Sequence, residues 1–415
     1  MARSHSPSHT STPTLPRQPR PLTVPRILIH SQSLLGIGHE RRTQLIADAL
    51  VDAGVDTHLA LGGPSALGGR SRATTHHLPT LRAADADFSA LVDDAGQPVD
   101  DQYKAHRSAA LAALFEQLRP DALLLELFPF GRRMLRFELL PLLAQARAAN
   151  CRILCSVRDI LVAKTGDDAT RKRAWAVDLV RTHFDAVLVH GDPALIGFEE
   201  SFTEAAALGD ALHYTGLVAP IREPLPDTTR RGVLVSAGGG VVGAPLLHAA
   251  RECAAQRATT DQPWTLVAGP HLPEADFQRL QADAPQHTTV IRSHPALVEL
   301  MATQAVSISQ AGYNTVCDLL ATRTPAVLVP FSTDTETEQV QRANRLAEHT
   351  QFAVAGINQA TPDALARAID HVRSATRWPQ FNLDGAAKTA SLLHAMLSSD
   401  TETAQVSTGD KDALR

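Results

Sequence analysis

The residues best suited to chemistry lie between Ser307 and Glu348, where short apolar runs alternate with polar turns. Gly312 precedes a helix-spaced apolar pattern, so free N–H groups at the start of that helix would point at an anion. Asp318, one to two turns into the helix, is placed to accept hydrogen bonds from paired hydroxyls such as those of a ribose. Glu338 and Gln339 open the next helix and could contact sugar hydroxyls. Together they indicate a nucleotide or sugar site, although each alone also fits an ordinary βαβ repeat with a helix cap and solvated charges.

A parallel α/β sheet must position these side chains. The apolar run PAVLVPF (325–331) is typical of a parallel strand covered on both faces, and ligands bind beyond the carboxyl ends of such strands. The same strand–turn–helix alternation fills two long stretches on either side of a proline-rich segment, which predicts two Rossmann-like domains. The predicted divisions are a disordered extension (1–25), a first domain (26–218), a linker (219–231), a second domain (232–376), a last helix (377–398) and a disordered tail (399–415).

A second candidate group begins after the first predicted strand, RILIHS (26–31). The string GIGH at 36–39 opens a helix, and Arg41 stands where the dinucleotide-binding fingerprint needs its third glycine. His39 therefore lies at a helix amino terminus, where the helix dipole lowers the pKa of an imidazole and favours its neutral, basic form. A polar helix cap is the alternative role for this histidine.

Charged residues end two further apolar runs, DALLLELFPFGRR (121–133) and CRILCSVRDIL (151–161). Arg132 would hold an anionic acceptor or a departing phosphate, because a guanidinium binds two oxygens at once. Asp159 is predicted to orient the imidazole and to stabilise its protonated form, as the partner of a general base. Arg158 is assigned to the same acceptor or phosphate side, and a structural pair between these two neighbours is the competing interpretation.

The second domain begins with the run GVLVSAGGGVVGAPLL (232–247), which predicts a strand, a glycine turn and a helix. Gly238, Gly239 and Gly240 have no side chains to block the approach of a diphosphate to the backbone amides. The turn is not a Walker loop, because the lysine and the serine or threonine of that motif are missing.

The stretch around Gly312 resembles the donor-binding half of GT-B glycosyltransferases of family 28, the group that includes the peptidoglycan N-acetylglucosaminyltransferase. That pattern runs roughly S-x-A-G-x-x-T-x-x-E/D, then a P-A-hydrophobic-V-P strand, then a Q/E-Q pair and N/R-A. The chain is most similar to a branch of predicted bacterial glycosyltransferases, whose PFGR element it shares at 129–132. Asp318 and Glu338 replace a Glu and a Gln of the peptidoglycan enzyme. The matching positions here are Ser309, Ala311, Gly312, Thr315, Asp318, 325–330, Glu338, Gln339, Arg342 and Ala343.

This resemblance implies an α/β fold of the GT-B type, in which two Rossmann-like domains face each other across a cleft and the last helix crosses back. It implies an inverting, metal-independent hexosyl transfer from a nucleotide-diphosphate sugar, here expected to be a UDP-sugar, to an acceptor hydroxyl, with His39 as the base. No cofactor is expected beyond this co-substrate. The donor side would comprise Gly238, Gly239, Gly240, His294, Gly312, Asn314, Thr315, Asp318, Glu338 and Gln339, and the acceptor or phosphate side Gly38, Arg132 and Arg158.

The composition is that of a soluble globular chain of 415 residues, with 44 % hydrophobic and 20 % charged residues. A formal net charge of −5 and 4 % aromatic residues give no basis for nucleic-acid binding. The four cysteines lie in or beside apolar segments and are expected to be buried thiols of a cytosolic protein. No apolar run approaches the roughly 18 residues of a membrane-spanning helix, and residues 1–25 lack the apolar core of a secretory signal. We therefore expect a cytoplasmic protein and leave open a peripheral position at the inner face of the membrane.

Two other functions fit the same fold. A nucleotide-sugar hydrolase or 2-epimerase would share the glycine turn, although an epimerase needs further acid and base residues that we do not locate. A non-catalytic relative that binds nucleotide or carbohydrate would need only the donor side. The acceptor, whether a glycan, a lipid-linked sugar or a small molecule, is not specified by the sequence.

Overall fold

The computed structural model describes residues 24–34, 38–63, 71–84, 90–162, 166–221, 230–238, 243–257, 262–333, 336–356, 360–375 and 377–409, and it describes the side chains of the last helix as far as residue 398. Within these ranges the chain forms two parallel sheets, each covered by helices on both faces. This is the doubly wound α/β architecture that the alternating pattern predicts.

Seven strands of the described chain form the first sheet, in the order β3-β2-β1-β6-β7-β8-β9, and a short hairpin (β4, β5) lies beside it. Its strands are near-continuous apolar runs because both faces are covered. The strands are β1 (Arg26–Ser31), β2 (Asp56–Leu61), β3 (Thr74–His77), β4 (Arg82–Ala83), β5 (Leu91–Val92), β6 (Ala122–Glu126), β7 (Arg152–Arg158), β8 (Ala186–His190) and β9 (Leu212–Tyr214). The helices are α1 (Gly38–Asp52), α2 (Asp101–Leu118), α3 (Arg136–Ala148) and α4 (Asp167–His183).

Six parallel strands form the second sheet of the described chain, in the order β12-β11-β10-β13-β14-β15. The strands are β10 (Val233–Ser236), β11 (Trp264–Val267), β12 (Thr288–Ile291), β13 (Val306–Ser309), β14 (Ala326–Leu328) and β15 (Phe352–Val354). The helices are α5 (Ala244–Gln256), α6 (Glu274–Ala282), α7 (Leu297–Thr303), α8 (Tyr313–Thr322), α9 (Glu338–Leu346) and α10 (Pro362–Arg373).

In each sheet the strand order reverses next to the first strand, β1 or β10. An open parallel sheet forms a ligand crevice at such a reversal, beyond the carboxyl ends of the two strands that flank it. In the first sheet these strands are β1 and β6, and in the second they are β10 and β13. The topology therefore fixes one binding edge in each half of the molecule.

The end of the chain returns to the first sheet. The helix α11 (Gly385–Gly409) packs along α1, and its Ala390 and Leu393 are buried in the same cluster as Ile27 and Leu59. Before it, the ring of Trp378 packs edge-on against Phe352 of the second domain, with the ring centroids 5.7 Å apart. The helix begins at Gly385 rather than at 377, because residues 377–383 are extended around Pro379, and it continues past residue 398, where we expected a tail.

Candidate active site

His39 and Glu126 meet at the binding edge of the first sheet, because β1 and β6 are neighbours. The imidazole Nδ1 lies 2.7 Å from Oε1 of Glu126, and Arg42 Nη2 donates to the same oxygen at 2.5 Å. The Glu126 side chain is 1 % exposed and that of His39 is 17 % exposed. Since Arg42 keeps the carboxylate ionised, we assign the imidazole proton to Nδ1, which leaves the lone pair on Nε2.

The surroundings keep this histidine neutral. Burial lowers the pKa of His39 to about 4; Glu126 opposes this change, and Arg132 and Arg42 reinforce it. Burial by itself raises the pKa of Glu126, but His39, Arg42 and Arg132 outweigh it and hold that pKa below its usual range. At neutral pH the pair is therefore a neutral imidazole held by a carboxylate, the arrangement of a general base with an orienting partner.

The prediction that Asp159 orients His39 is wrong. Asp159 follows β7, one strand further from β1, and its two oxygens accept from Nε and Nη2 of Arg342 at 2.8 and 2.7 Å. Both side chains are 0 % exposed, so this is a buried ion pair between the two domains. The orienting carboxylate is Glu126, and its signal in the sequence is an acidic residue at the end of the apolar strand ALLLE.

The amino-terminal turns of α1 and α8 contact each other across the two domains. Asn314 Nδ2 donates to the carbonyl of Gly38 at 3.0 Å, and Arg41 forms two hydrogen bonds of 2.7 Å to the carboxylate of Asp318. Asn314 and Asp318 are four residues apart and so share a face of α8. His39 lies between the two contacting residues of α1, and the structure therefore brings the predicted base to the predicted donor helix.

The second of these contacts changes the assignment of Asp318. Its carboxylate is 4 % exposed and is bound by the guanidinium of Arg41, not open for the paired hydroxyls that we expected it to hold. A nucleotide ribose would have to displace Arg41 to reach these oxygens. In the sequence, Arg41 was notable only because it occupies the position of the third glycine of the dinucleotide-binding fingerprint, and its ion pair with Asp318 was not predicted.

The turn before α8 leaves room for a ligand. Among the described residues, an added side chain at Gly312 would meet no atom within 4 Å and no side chain caps α8, so its first N–H groups are without a capping side chain beside the half-buried Thr315. Gly312 has a φ of −63°, which any residue adopts. Gly238, after β10, has a φ of +61°, in the left-handed region that favours glycine. Gly239 and Gly240 lie outside the described residues.

The two residues that open α9 are bonded within the protein. Glu338 is 5 % exposed and forms ion pairs with Arg158 and with Arg342, so its carboxylate is already bound, and its contact with a sugar stays a prediction. Gln339 Oε1 accepts from the backbone N–H groups of Ala311 and Phe331, both at 3.1 Å, and thus joins the ends of β13 and β14. The carboxylate of Glu338 also accounts for Arg158, which does not pair with Asp159.

Two predicted site residues differ from the others: His294 lies away from this junction, and Arg132 lies near it but has no hydrogen-bond partner among the described residues. His294 follows β12, the outermost strand on its side of the second sheet, and its Nδ1 accepts from the N–H of Ala296 at 3.2 Å. Arg132 lies just beyond β6, and in the described part of the chain its guanidinium has no hydrogen-bond partner. Its neighbour Arg133 donates to the carbonyl of Phe130 at 3.2 Å.

Tyr313 is a junction residue that the sequence analysis missed. Its hydroxyl donates to the carbonyl of His190 and accepts from the N–H of Val218, both at 2.9 Å. Its ring lies between the guanidiniums of Arg42 and Arg342, whose central carbons are 5.5 and 5.7 Å from the ring centroid. The second domain therefore inserts an aromatic ring into the first, and the only signal was its place between Gly312 and Asn314.

The described residues form a cavity away from this site, and they include no metal-site cluster and no membrane-spanning helix. A cavity of about 840 Å³ lies between α1 and α11 and includes neither His39 nor Asp318 among its lining residues. No group of three or more histidine, cysteine, aspartate or glutamate residues in the described ranges has the arrangement of a metal site. Within the same ranges, no helix has both the length and the apolar character needed to cross a bilayer.

The two doubly wound sheets and the junction of α1 with α8 give the chain the architecture of the GT-B fold. Residues 234–394, which span most of the second domain and reach into the last helix, match the family model of the glycosyltransferase family 28 C-terminal domain. The predicted resemblance and fold class are thereby confirmed.

Solved structures with this fold include several glycosyltransferases. The glycosyltransferase of kitacinnamycin superposes with a TM-score of 0.59 over 91 % of this chain and 96 % of its own, at 15 % identity. MurG of Acinetobacter baumannii gives a TM-score of 0.56 over 89 % and 100 %, also at 15 % identity. VinC, solved with dTDP, gives a TM-score of 0.55 over 91 % and 100 %, again at 15 % identity. No curated protein matches the sequence.

Proposed function

We propose that this chain transfers a sugar from a nucleotide-diphosphate sugar to an acceptor hydroxyl, with inversion at the anomeric carbon and without a metal ion. The observation that carries the proposal is the neutral His39, held by Glu126 and placed beside the open amino terminus of α8. A base on the first domain and an anion site on the second are the two parts that direct displacement requires.

In this mechanism Nε2 of His39 takes the proton of the acceptor hydroxyl as its oxygen bonds to the anomeric carbon. The bond from that carbon to the diphosphate breaks, and its electron pair leaves with the diphosphate. Glu126 stabilises the imidazolium that forms, since its carboxylate already accepts from Nδ1. The N–H groups at the start of α8 and the turn at Gly238 receive the charge of the leaving diphosphate.

The donor nucleotide is proposed to be a uridine diphosphate. Asp318 would accept from both ribose hydroxyls once the ligand displaces Arg41. A thymidine nucleotide is the second candidate, because VinC and the rhamnosyltransferase SpnG were solved with thymidine diphosphate. The two differ at the 2′ hydroxyl, so UDP should bind more tightly than dTDP to the wild type but not to Asp318→Asn.

The reaction itself is tested by incubating the chain with UDP-sugars and hydroxylated acceptors in the presence of EDTA. We expect transfer to continue in EDTA, and NMR should show that the anomeric configuration of the product is opposite to that of the donor. Retention of configuration, or activity that requires an added divalent cation, would contradict the mechanism. Release of free sugar or of an epimer from the donor alone would indicate the hydrolase or epimerase instead.

We also propose a cytoplasmic location, supported by four cysteines that are all buried, free thiols. A bound nucleotide at 100 times its Kd adds about 2.7 kcal/mol to the free energy of unfolding, so a thermal-shift screen of nucleotides identifies the donor base directly.

A further inference from the structure

Arg132 is a cation close to the proposed base, and among the described residues its side chain has no hydrogen-bond partner. Its Nε is buried and has no hydrogen-bond partner in the described part of the chain. Burial, Arg158 and Arg42 lower the pKa of its guanidinium, against the attraction of Glu126. Glu126 is already bound through Oε1 by His39 and Arg42. A buried donor without an acceptor is unfavourable, and more so when it is charged, so the site is incomplete without a further acceptor.

Each neighbouring guanidinium binds at least one carboxylate, although Nε of Arg42 and Nε of Arg158 have no hydrogen-bond partner among the described residues. Arg42 binds Glu126, Arg158 binds Glu338, and Arg342 binds both Asp159 and Glu338. Arg41, which precedes Arg42 on α1, binds Asp318 of α8. Arg132 is therefore the arginine of this junction, among the described residues, that has no carboxylate bonded to it.

The backbone holds Arg132 in place at a cost. The loop from β6 to α3 contains two non-glycine residues in the left-handed region, Leu127 with a φ of 66° and Arg132 itself with a φ of 56°. A 2.7 Å hydrogen bond from the N–H of Gly131 to the carbonyl of Leu127 closes the loop between them. Non-glycine residues are uncommon in this region, and such strain clusters where a side chain must be aimed at a ligand.

We propose that Arg132 is the anion subsite of the acceptor, and that the acceptor carries a carboxylate or phosphate near the hydroxyl that is glycosylated. The inference rests on the proposed function. Arg132 belongs to the first domain and adjoins Glu126, which holds the base. The anion site for the donor diphosphate is at the start of α8, in the second domain. A guanidinium that binds two oxygens of one group fixes the orientation of the acceptor, and thus the approach of its hydroxyl to Nε2 of His39.

An anion bound here would also strengthen the base. The positive charge of Arg132 is one of the causes that lower the pKa of His39. A carboxylate or phosphate on Arg132 offsets that charge, so the pKa of His39 rises toward the pH at which the enzyme works. Acceptors with the negative charge would then be preferred in kcat as well as in KM, since the charge acts on proton transfer and on binding.

The test uses the full chain saturated with UDP, with inorganic phosphate and glucose 6-phosphate as probes and glucose as the neutral control. Calorimetry should show both anions binding while UDP is bound, and glucose binding at least tenfold more weakly than its phosphate. Arg132→Gln should weaken both anions at least tenfold and change the UDP affinity less than twofold. Arg133→Gln removes a charge from the same loop and should bind like the wild type. NMR of His39 should show its pKa rising when phosphate is added, in the wild type but not in Arg132→Gln.

Each other outcome is decisive. If phosphate competes with UDP, Arg132 serves the donor diphosphate and the acceptor assignment fails while glycosyl transfer stands. If the UDP-saturated wild type binds no anion, or Arg132→Gln binds anions as the wild type does, the subsite does not exist. If the wild type binds no nucleotide at all, the proposed function itself fails. Arg132→Lys keeps the charge and loses the two-pronged geometry, so it replaces the glutamine variant if that variant does not fold.

Discussion

Two groups of buried charges lie beyond the ends of neighbouring strands, β6 and β7, and they differ in how completely they are bonded. In the group after β7, both oxygens of Asp159 and both oxygens of Glu338 accept from arginine side chains. In the group after β6, Glu126 uses only Oε1, and its Oε2 has no partner in the described residues. The group with fully bonded carboxylates joins the two domains, and the group with a free carboxylate oxygen is the one in which we propose that a proton moves. Both groups lie at strand ends, so their position does not separate them. The number of bonds that the carboxylate oxygens already make separates the structural group from the one that is proposed to react.

The largest effect expected from this comparison is on catalysis, at His39. His39→Ala removes the base and should lower kcat by about 10²- to 10⁴-fold, because that is what a positioned general base contributes. Nucleotide affinity and thermal stability should change little, since the imidazole touches the group after β6 alone. Steady-state kinetics and UDP titration measure both quantities. The matched control is His371→Ala, an exposed histidine on α10, and an equal loss of activity there would remove the distinction.

Asp159→Asn should act mainly on stability. It leaves Arg342, which is 0 % exposed, to share the single charge of Glu338 with Arg158, and breaking a buried pair costs about 3–5 kcal/mol. Denaturant unfolding measures the free-energy change. Glu200→Gln breaks the exposed pair with Arg345, which also spans the domains, and should cost about 1 kcal/mol or less. If the two variants lowered the free energy of unfolding by similar amounts, burial would not be what makes the first ion pair the stronger one.

The pH dependence should reveal the neutral histidine. Because the pKa of His39 is lowered to about 4, its basic form persists as pH falls through 6.5, and kcat/KM should stay level from pH 8 to about 5. The free energy of unfolding should depend on pH in this range. His39 takes up a proton near pH 6.5 in the unfolded chain but stays neutral in the folded one, so folding stability decreases as pH falls from 6.5 toward 4. An activity profile that bends near pH 6.5 would contradict this environment. NMR titration of the His39 ring provides the direct measurement.

The smallest effect is expected at the contact between α1 and α8. Arg41→Ala frees Asp318 for the ribose and should tighten UDP binding about fivefold, equivalent to roughly 1 kcal/mol. Arg72→Ala breaks another two-pronged pair, with Asp52 at the far end of α1, and should leave UDP affinity unchanged. Weaker binding by Arg41→Ala would mean that Arg41 contacts the nucleotide itself.

Periodicity and glycine positions were enough to predict the parallel sheets, because a strand covered on both faces has to be a continuous apolar run. They were also enough to place His39 and Gly312 at facing helix starts. They could not assign partners, since whether Glu126 or Asp159 reaches His39 depends on which strand lies beside β1. The order of strands is a long-range property, and Glu126 and Asp159 look alike in the sequence.

The same limit explains the donor side. The side-chain oxygens of Asp318, Glu338 and Gln339 suit hydroxyl groups. Nothing in the sequence indicates that arginines and backbone amides already bind these oxygens. Arg41 and Arg342 lie far along the chain from the carboxylates they bind, at separations of 277 and 183 residues. Pairings of this kind become visible only when the two domains are assembled.

The return of the last helix affects the order in which the molecule can be made. Ala390 and Leu393 fill the same cluster as Ile27, Ile29 and Leu124, so the first domain lacks part of its own interior until nearly the whole chain has left the ribosome. In the second domain one cluster draws on residues 233–372 alone, and the other also includes Ile160 and Leu195 of the first domain, which are made earlier. Synthesis from the amino terminus therefore ends, and does not begin, with the completion of the first domain.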